Sequence, residues 1–256
     1  MCDTAPAVCS DLAIAAWFFA MRGCEFTKSP TTGKTLPIRI ADVTFRDKKK
    51  KLIPNTSSKI FTAEYVTIIF RDQKNGRKIE ARTMRGTGET ILCPILRWAS
   101  IVDRLLRHNA HQSSEVYWLP TTGKRRHAIT TKFFADTLKS TCSVLGGHAV
   151  FGFGPDDIGS KSIRSGAAMA LFLSDVSVAK VMILGRWASD AFLDYIRPQV
   201  LEWTSDMSLS MTNVEHFLDL NGASSAPSSD PKTRKQSTTK INGSTTFLLP
   251  RFHLHH

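Results

Sequence analysis

The stretch that decides the fold is "GSKSIRSGAAM", residues 159–169. A lysine and an arginine stand three residues apart and open a run of small, apolar residues that reads as helix. At i and i+3, Lys161 and Arg164 are neighbours on one helix face, and like charges there repel. No carboxylate follows within the next turn. The expectation from this stretch is an anionic ligand seated between the two cations.

Composition narrows the class of anion. The chain has 256 residues and is 42% hydrophobic, enough for a sizeable core. Lys plus Arg total 34 against 22 acids, a formal charge of +12, with a pI near 9.7. A field of that sign attracts polyanions, nucleic acid first and an anionic membrane second. Cysteines at 2, 9, 24, 93 and 142 are odd in number and never closely paired, which argues against a disulfide framework and against a zinc module. Free thiols suit a reducing compartment. The terminal "HLHH" reads as incidental, so no metal ligand is assigned.

Working outward, "LAIAAWFFAM" (12–21) has no basic segment before it and is too short to span a bilayer. It reads as a core helix capped by Ser10 or Asp11. "TLPIRIADVTFRD" (35–47) reads as a strand closed by the run Lys48 to Lys51. "AEYVTIIFRDQ" (63–73) reads as a second strand, Asn75-Gly76 as a turn, and "KIEART" (78–83) as the return. "TILCPI" (90–95) reads as a further edge. "LRWASIVDRLLRH" (96–108) is an amphipathic helix, with Ile95, Trp98, Ile101, Val102 and Leu105 on one face. "TTKFFADTLKSTCSVLG" (130–146) is helical up to Gly146, and three more helices are drawn at 161–174, 177–184 and 190–197, the last stopped by Pro198. From Gly222 the chain is rich in Ser, Thr, Pro and Lys with little to bury, and reads as disordered. The expected class is α+β, mostly α: a helical domain over 10–220 with a small antiparallel sheet near its N-terminal part, then a tail over 221–256.

Several motifs are set aside. "TTGKT" (31–35) lacks the earlier glycine of a phosphate loop, where Lys28 stands instead. Asp156 and Asp157 are adjacent and diverge, which does not suit a two-metal nuclease. Arg22 in "FFAMRGCEF" has a plain structural role open to it, a surface pair with Glu25 at i+3. Phe192, Tyr195 and Ile196 can equally form one apolar stripe.

Together these residues resemble a known family. "KSIRSGAAMALFLSDVSVAKVMILGRWASDAFLDYIR" (161–197) resembles the C-terminal motif of the tyrosine recombinases, or phage integrases, and is closest to integrase-like sequences of eukaryotic mobile elements. That motif runs histidine or lysine, two residues, arginine, then glycine with a following histidine or tryptophan, then tyrosine. Lys161, Arg164, Trp187 and Tyr195 stand in that order. Lysine replaces the commoner histidine, and the interval from Trp187 to Tyr195 is one residue shorter than in much of the family. "FFAMRGCEF" resembles the first box, with Arg22 as its arginine and Glu25 as its acid. The hairpin lysine falls on Lys74, with Lys78 as the fallback. The resemblance spans roughly residues 10–217.

The resemblance implies a DNA recombinase or integrase whose nucleophile is Tyr195, forming a 3′-phosphotyrosyl intermediate. Arg22, Arg164 and Lys161 would neutralise the pentacoordinate phosphorus, Lys74 would protonate the leaving 5′-oxygen, and Trp187 would pack the site and donate its indole N–H. It implies no cofactor and no metal, double-stranded DNA as partner, a homo-oligomer on DNA, no membrane, and a nuclear location in a eukaryotic host. Two other readings are a catalytically decayed DNA-binding remnant and a type IB topoisomerase-like nicking and closing enzyme. Family members carry a helical DNA-clamping domain before the catalytic one. Arg22 stands too near the start for one here, so weak, largely sequence-independent binding is expected of residues 1–256 alone.

Overall fold

The structure, a computed structural model, describes residues 4–30, 35–72, 79–119 and 127–187. The turn at Asn75-Gly76, Lys74 and Lys78, most of "TTGKT", the 190–197 helix with Tyr195, and the 221–256 tail lie outside them.

The chain opens with α1, Ala5–Phe18. Its start lies ahead of the expected Ser10 or Asp11 cap, at Thr4, because Pro6 in the first turn is preset for a helix and needs no N–H partner. Asp11 sits inside the helix instead, where its carboxylate takes Arg97 at 3.1 Å and Arg104 at 2.7 Å. Val8, Leu12, Ala15 and Ala16 are buried. The helix ends at Ala20 in the left-handed region (φ 45°), with the Met21 N–H donating back to Ala16 O at 3.0 Å. A non-glycine residue there costs about 1–2 kcal/mol. The sharp turn delivers Arg22 directly to the start of α2, Gly23–Phe26.

The sheet has four antiparallel strands in the order β2-β1-β3-β4, with β1 at Val43–Arg46, β2 at Leu52–Ile53, β3 at Tyr65–Arg71 and β4 at Ile79–Arg85. Strand β3 alternates as its sequence requires, with Val66, Ile68 and Phe70 buried. Two expectations are corrected. "TLPIRIADVTFRD" yields only the short β1, because Ile40–Asp42 forms a 3-10 turn in which the Asp42 carboxylate accepts the Arg39 N–H at 3.0 Å. "TILCPI" is not a strand: Pro94 opens the next helix, and Ile91 and Leu92 are exposed. The outer strands are β2 and β4, and β2 is the shorter. Strand β2 follows the lysine run, which forms a turn with Lys50 at φ 62° and the Lys51 N–H donating to the Asp47 carboxylate at 2.9 Å.

Helix α3, Pro94–Arg107, buries Ile95, Trp98, Ile101, Val102 and Leu105, the stripe its sequence marks out. Trp98 meets Phe19 edge to face at 6.2 Å between ring centres. A two-stranded ribbon, β5 (Trp118–Leu119) and β6 (His127–Ala128), leads to α4, Thr131–Val144. The Thr130 hydroxyl caps α4 by accepting the Phe133 N–H at 3.1 Å. Gly146 at φ 100° ends it, as expected. A short α5, Gly147–Phe151, follows, which the sequence did not suggest. Then come α6, Ser160–Leu173, and α7, Val178–Gly185, close to the expected bounds. The fold is α+β and mostly α.

Burial is uneven. One large apolar cluster joins α1, the sheet and α3, whereas α6 and α7 share a small one whose fully buried members are Ala168 and Val181. Among the described residues no helix is long and apolar enough to cross a membrane.

Candidate active site

Helix α7 is only eight residues long, and its last carbonyls have no partners within the helix. Arginines fill them. The Arg82 Nε donates to Ile183 O at 2.7 Å, Arg186 Nη1 to Leu184 O at 3.4 Å, and Arg164 Nη2 to Gly185 O at 2.6 Å. Arg22 Nη2 reaches Arg186 O at 3.5 Å. Cations at a helix C-terminus also meet its negative end. Among the described residues, Arg22 and Arg186 pair with Glu25, and Arg82 pairs with Glu80.

The i+3 pair of the first box exists, but not as a surface pair. Glu25 is fully buried, with Oε1 taking Arg22 Nη1 at 3.2 Å and Oε2 accepting the Arg22 backbone N–H at 2.7 Å. Its second cation is Arg186, whose Nη2 lies 2.7 Å from Oε2 and whose side chain is also wholly buried. Arg186 adopts left-handed backbone (φ 59°), donates to Phe19 O at 3.1 Å and stacks 3.6 Å from the centre of the Phe70 ring. Burial pulls the Arg186 guanidinium below its ordinary pKa; Glu25 opposes this, and Arg22 and Arg82 add to the fall.

Lys161 and Arg164 do not lie side by side on an exposed face. Lys161 is exposed, while Arg164 is buried and turned inward from α6. The negative partners it finds are main-chain oxygens, Ala20 O and Gly185 O. Trp187 covers it, with the guanidinium carbon 3.9 Å from the ring centre. The Trp187 backbone N–H donates to Met182 O at 3.0 Å, folding the ring back over Gly185. A Cβ on Gly185 would fall 1.5 Å from the Trp187 ring, so only glycine leaves room. One turn before Arg164, a Cβ on Gly23 would approach Ser160 Oγ to 3.1 Å, so the Arg22 box packs against the start of the lysine-bearing helix.

Of the residues singled out in the sequence, Arg22, Arg164 and Trp187 therefore meet at the end of α7. Lys161 stands on the first turn of α6, and Lys74 and Tyr195 lie outside the described residues. Asp156 and Asp157 diverge as expected, the first to Lys139 at 3.4 Å and the second to the Gly154 N–H at 2.8 Å. Sequence reasoning missed Arg186 and Arg82. The signal for Arg186 was a charge placed directly after a helix-ending glycine; for Arg82 it was a second charge, two along from Glu80, on one strand face. Cys24, beside Arg22, has its thiol pKa raised by burial first and by Glu25 next, against the opposing pull of Arg22 and Arg164.

Neither a protein-family model nor a curated protein matches the sequence.

Proposed function

We propose that the chain is the catalytic domain of a tyrosine recombinase that cuts and rejoins duplex DNA. The observation that supports this reading is the meeting of Arg22, Arg164 and Trp187, three motif residues distant in sequence, around one helix end. Tyr195 follows Trp187 by eight residues, close enough in the chain to serve the same site. In the proposed reaction the Tyr195 oxygen releases its proton to solvent and attacks the scissile phosphorus, and the bond to the 5′-oxygen breaks. Lys74 gives that oxygen its proton. Arg22 and Lys161, both reached by solvent, together with the field of the buried Arg164, offset the charge on the pentacoordinate phosphorus. A 5′-hydroxyl of a partner strand then displaces the tyrosine, and the phosphodiester is restored without ATP.

A second reading, a DNA-binding remnant without turnover, is favoured by one feature: both terminal nitrogens of Arg164 already donate to main-chain carbonyls. One experiment separates the two. The protein is incubated with nicked duplexes of randomised sequence that release a short strand on cleavage. The recombinase reading expects a covalent complex that survives denaturant and is lost in Tyr195→Phe. Binding without any adduct would instead support the remnant, and an adduct surviving Tyr195→Phe would overturn the assignment of the nucleophile.

A further inference from the structure

We propose that Arg82 is a positioning residue for this reaction, clamping strand β4 to the last turn of α7 and so holding Trp187 and Arg164 in working geometry. The inference rests on the recombinase reading above. Arg82 stands in mid-strand, opposite Ile68 of β3, where the ladder continues on both sides. Its guanidinium spans two elements. Nη1 donates to Ala81 O at 2.8 Å and Nη2 to Glu80 Oε1 at 3.1 Å, which fixes the fork on its own strand. Nε then reaches across to Ile183 O of α7 at 2.7 Å. All three nitrogens are engaged and the side chain is only 17% exposed, so Arg82 acts through α7 and not on a phosphate.

The need for such a clamp follows from the packing. The α6–α7 apolar cluster is small, and Val178 and Ile183 of α7 are exposed. Hydrophobic burial therefore holds α7 less firmly than it holds α1 or α3. Ile183 O accepts both Arg82 Nε and the Arg186 backbone N–H at 3.3 Å, so the clamp lands where the helix turns into its left-handed end. Two and four residues on stand the groups that meet there: Gly185 O takes Arg164, and the Trp187 ring lies over it. A drift of α7 would move both together. Misplacement on the order of 1 Å far from the chemistry can cost about 100-fold in rate.

The test uses the full chain and the same randomised nicked duplexes. Arg82→Ala is expected to slow adduct formation at saturating DNA by roughly 10–100-fold, with the DNA concentration for half-maximal binding unchanged. Arg82→Lys should recover part of the rate, because one ammonium donor can still reach Ile183 O. Glu80→Gln keeps the reach to α7 and should stay near wild type. Amide exchange adds a readout independent of DNA: in both Arg82 variants the 183–187 segment should exchange faster while β3 and α1 keep their protection. Wild-type rate and wild-type exchange in Arg82→Lys and Arg82→Ala would overturn the role of Arg82 alone. A wild-type chain that forms no tyrosine adduct would overturn the recombinase reading and the positioning role with it.

Discussion

Replacing Arg186 by methionine removes the guanidinium but keeps a long, apolar side chain over Phe70. In the native protein Arg186 and Glu25 are both wholly buried, 2.7 Å apart. Removing one partner of a buried pair costs about 3–5 kcal/mol, because the other charge is left uncompensated. Arg22 remains on Glu25 at 3.2 Å and offsets part of that loss. Phe19 O loses a donor, about 1 kcal/mol, and the cation–π contact at 3.6 Å disappears, about 1–2 kcal/mol. The left-handed backbone at φ 59° is equally unfavourable for methionine, so it contributes no change. The expected net is a destabilisation of about 3–5 kcal/mol, read from urea unfolding of both proteins at a common slope. The double variant Glu25→Gln/Arg186→Met should lose less than the two single losses added together, since neither charge is then stranded. A loss under about 1 kcal/mol would refute the reasoning, for it would mean that Arg22 alone satisfies Glu25.

Gly185→Ala places a methyl group inside the Trp187 ring volume, so the ring must leave Arg164; the variant should lose about 1–3 kcal/mol and most covalent trapping, with near-normal trapping counting against the stacked geometry. Burial, above all, holds the thiols of both Cys9 and Cys24 above the ordinary cysteine pKa of 9.0. Unfolded thiols therefore ionise first, and the stability they contribute is full below pH 9.0 and lost as the pH rises through their folded values. Urea midpoints should fall across that alkaline window, and less steeply in Cys9→Ala/Cys24→Ala; equal slopes in the two proteins would reject this.

Local patterns carried most of the secondary structure into view. The stripe of α3, the alternation of β3 and the glycine stop of α4 depend on periodicity and backbone preference within one segment. The Arg22–Glu25 pair was equally legible, because three residues separate them. Where two local signals competed, the sequence misled. Apolar "TILCPI" looked like a strand until Pro94 opened a helix, and Asp11 looked like a cap although its carboxylate is spent on Arg97 and Arg104.

The candidate site was legible as a set of residues but not as an arrangement. The sequence alone marked Arg22, Lys161, Arg164 and Trp187, and it suggested an absent anion between two cations of α6. Tertiary structure decided how Arg164 is held, because a helix end leaves carbonyls that must find donors wherever the chain brings them. Arg164 turns inward to Ala20 and Gly185, Arg82 arrives from the sheet, and Arg186 crosses to Glu25. Those contacts join positions 21 to 161 residues apart, and a spacing rule that reads one turn of helix or one strand at a time cannot reach them.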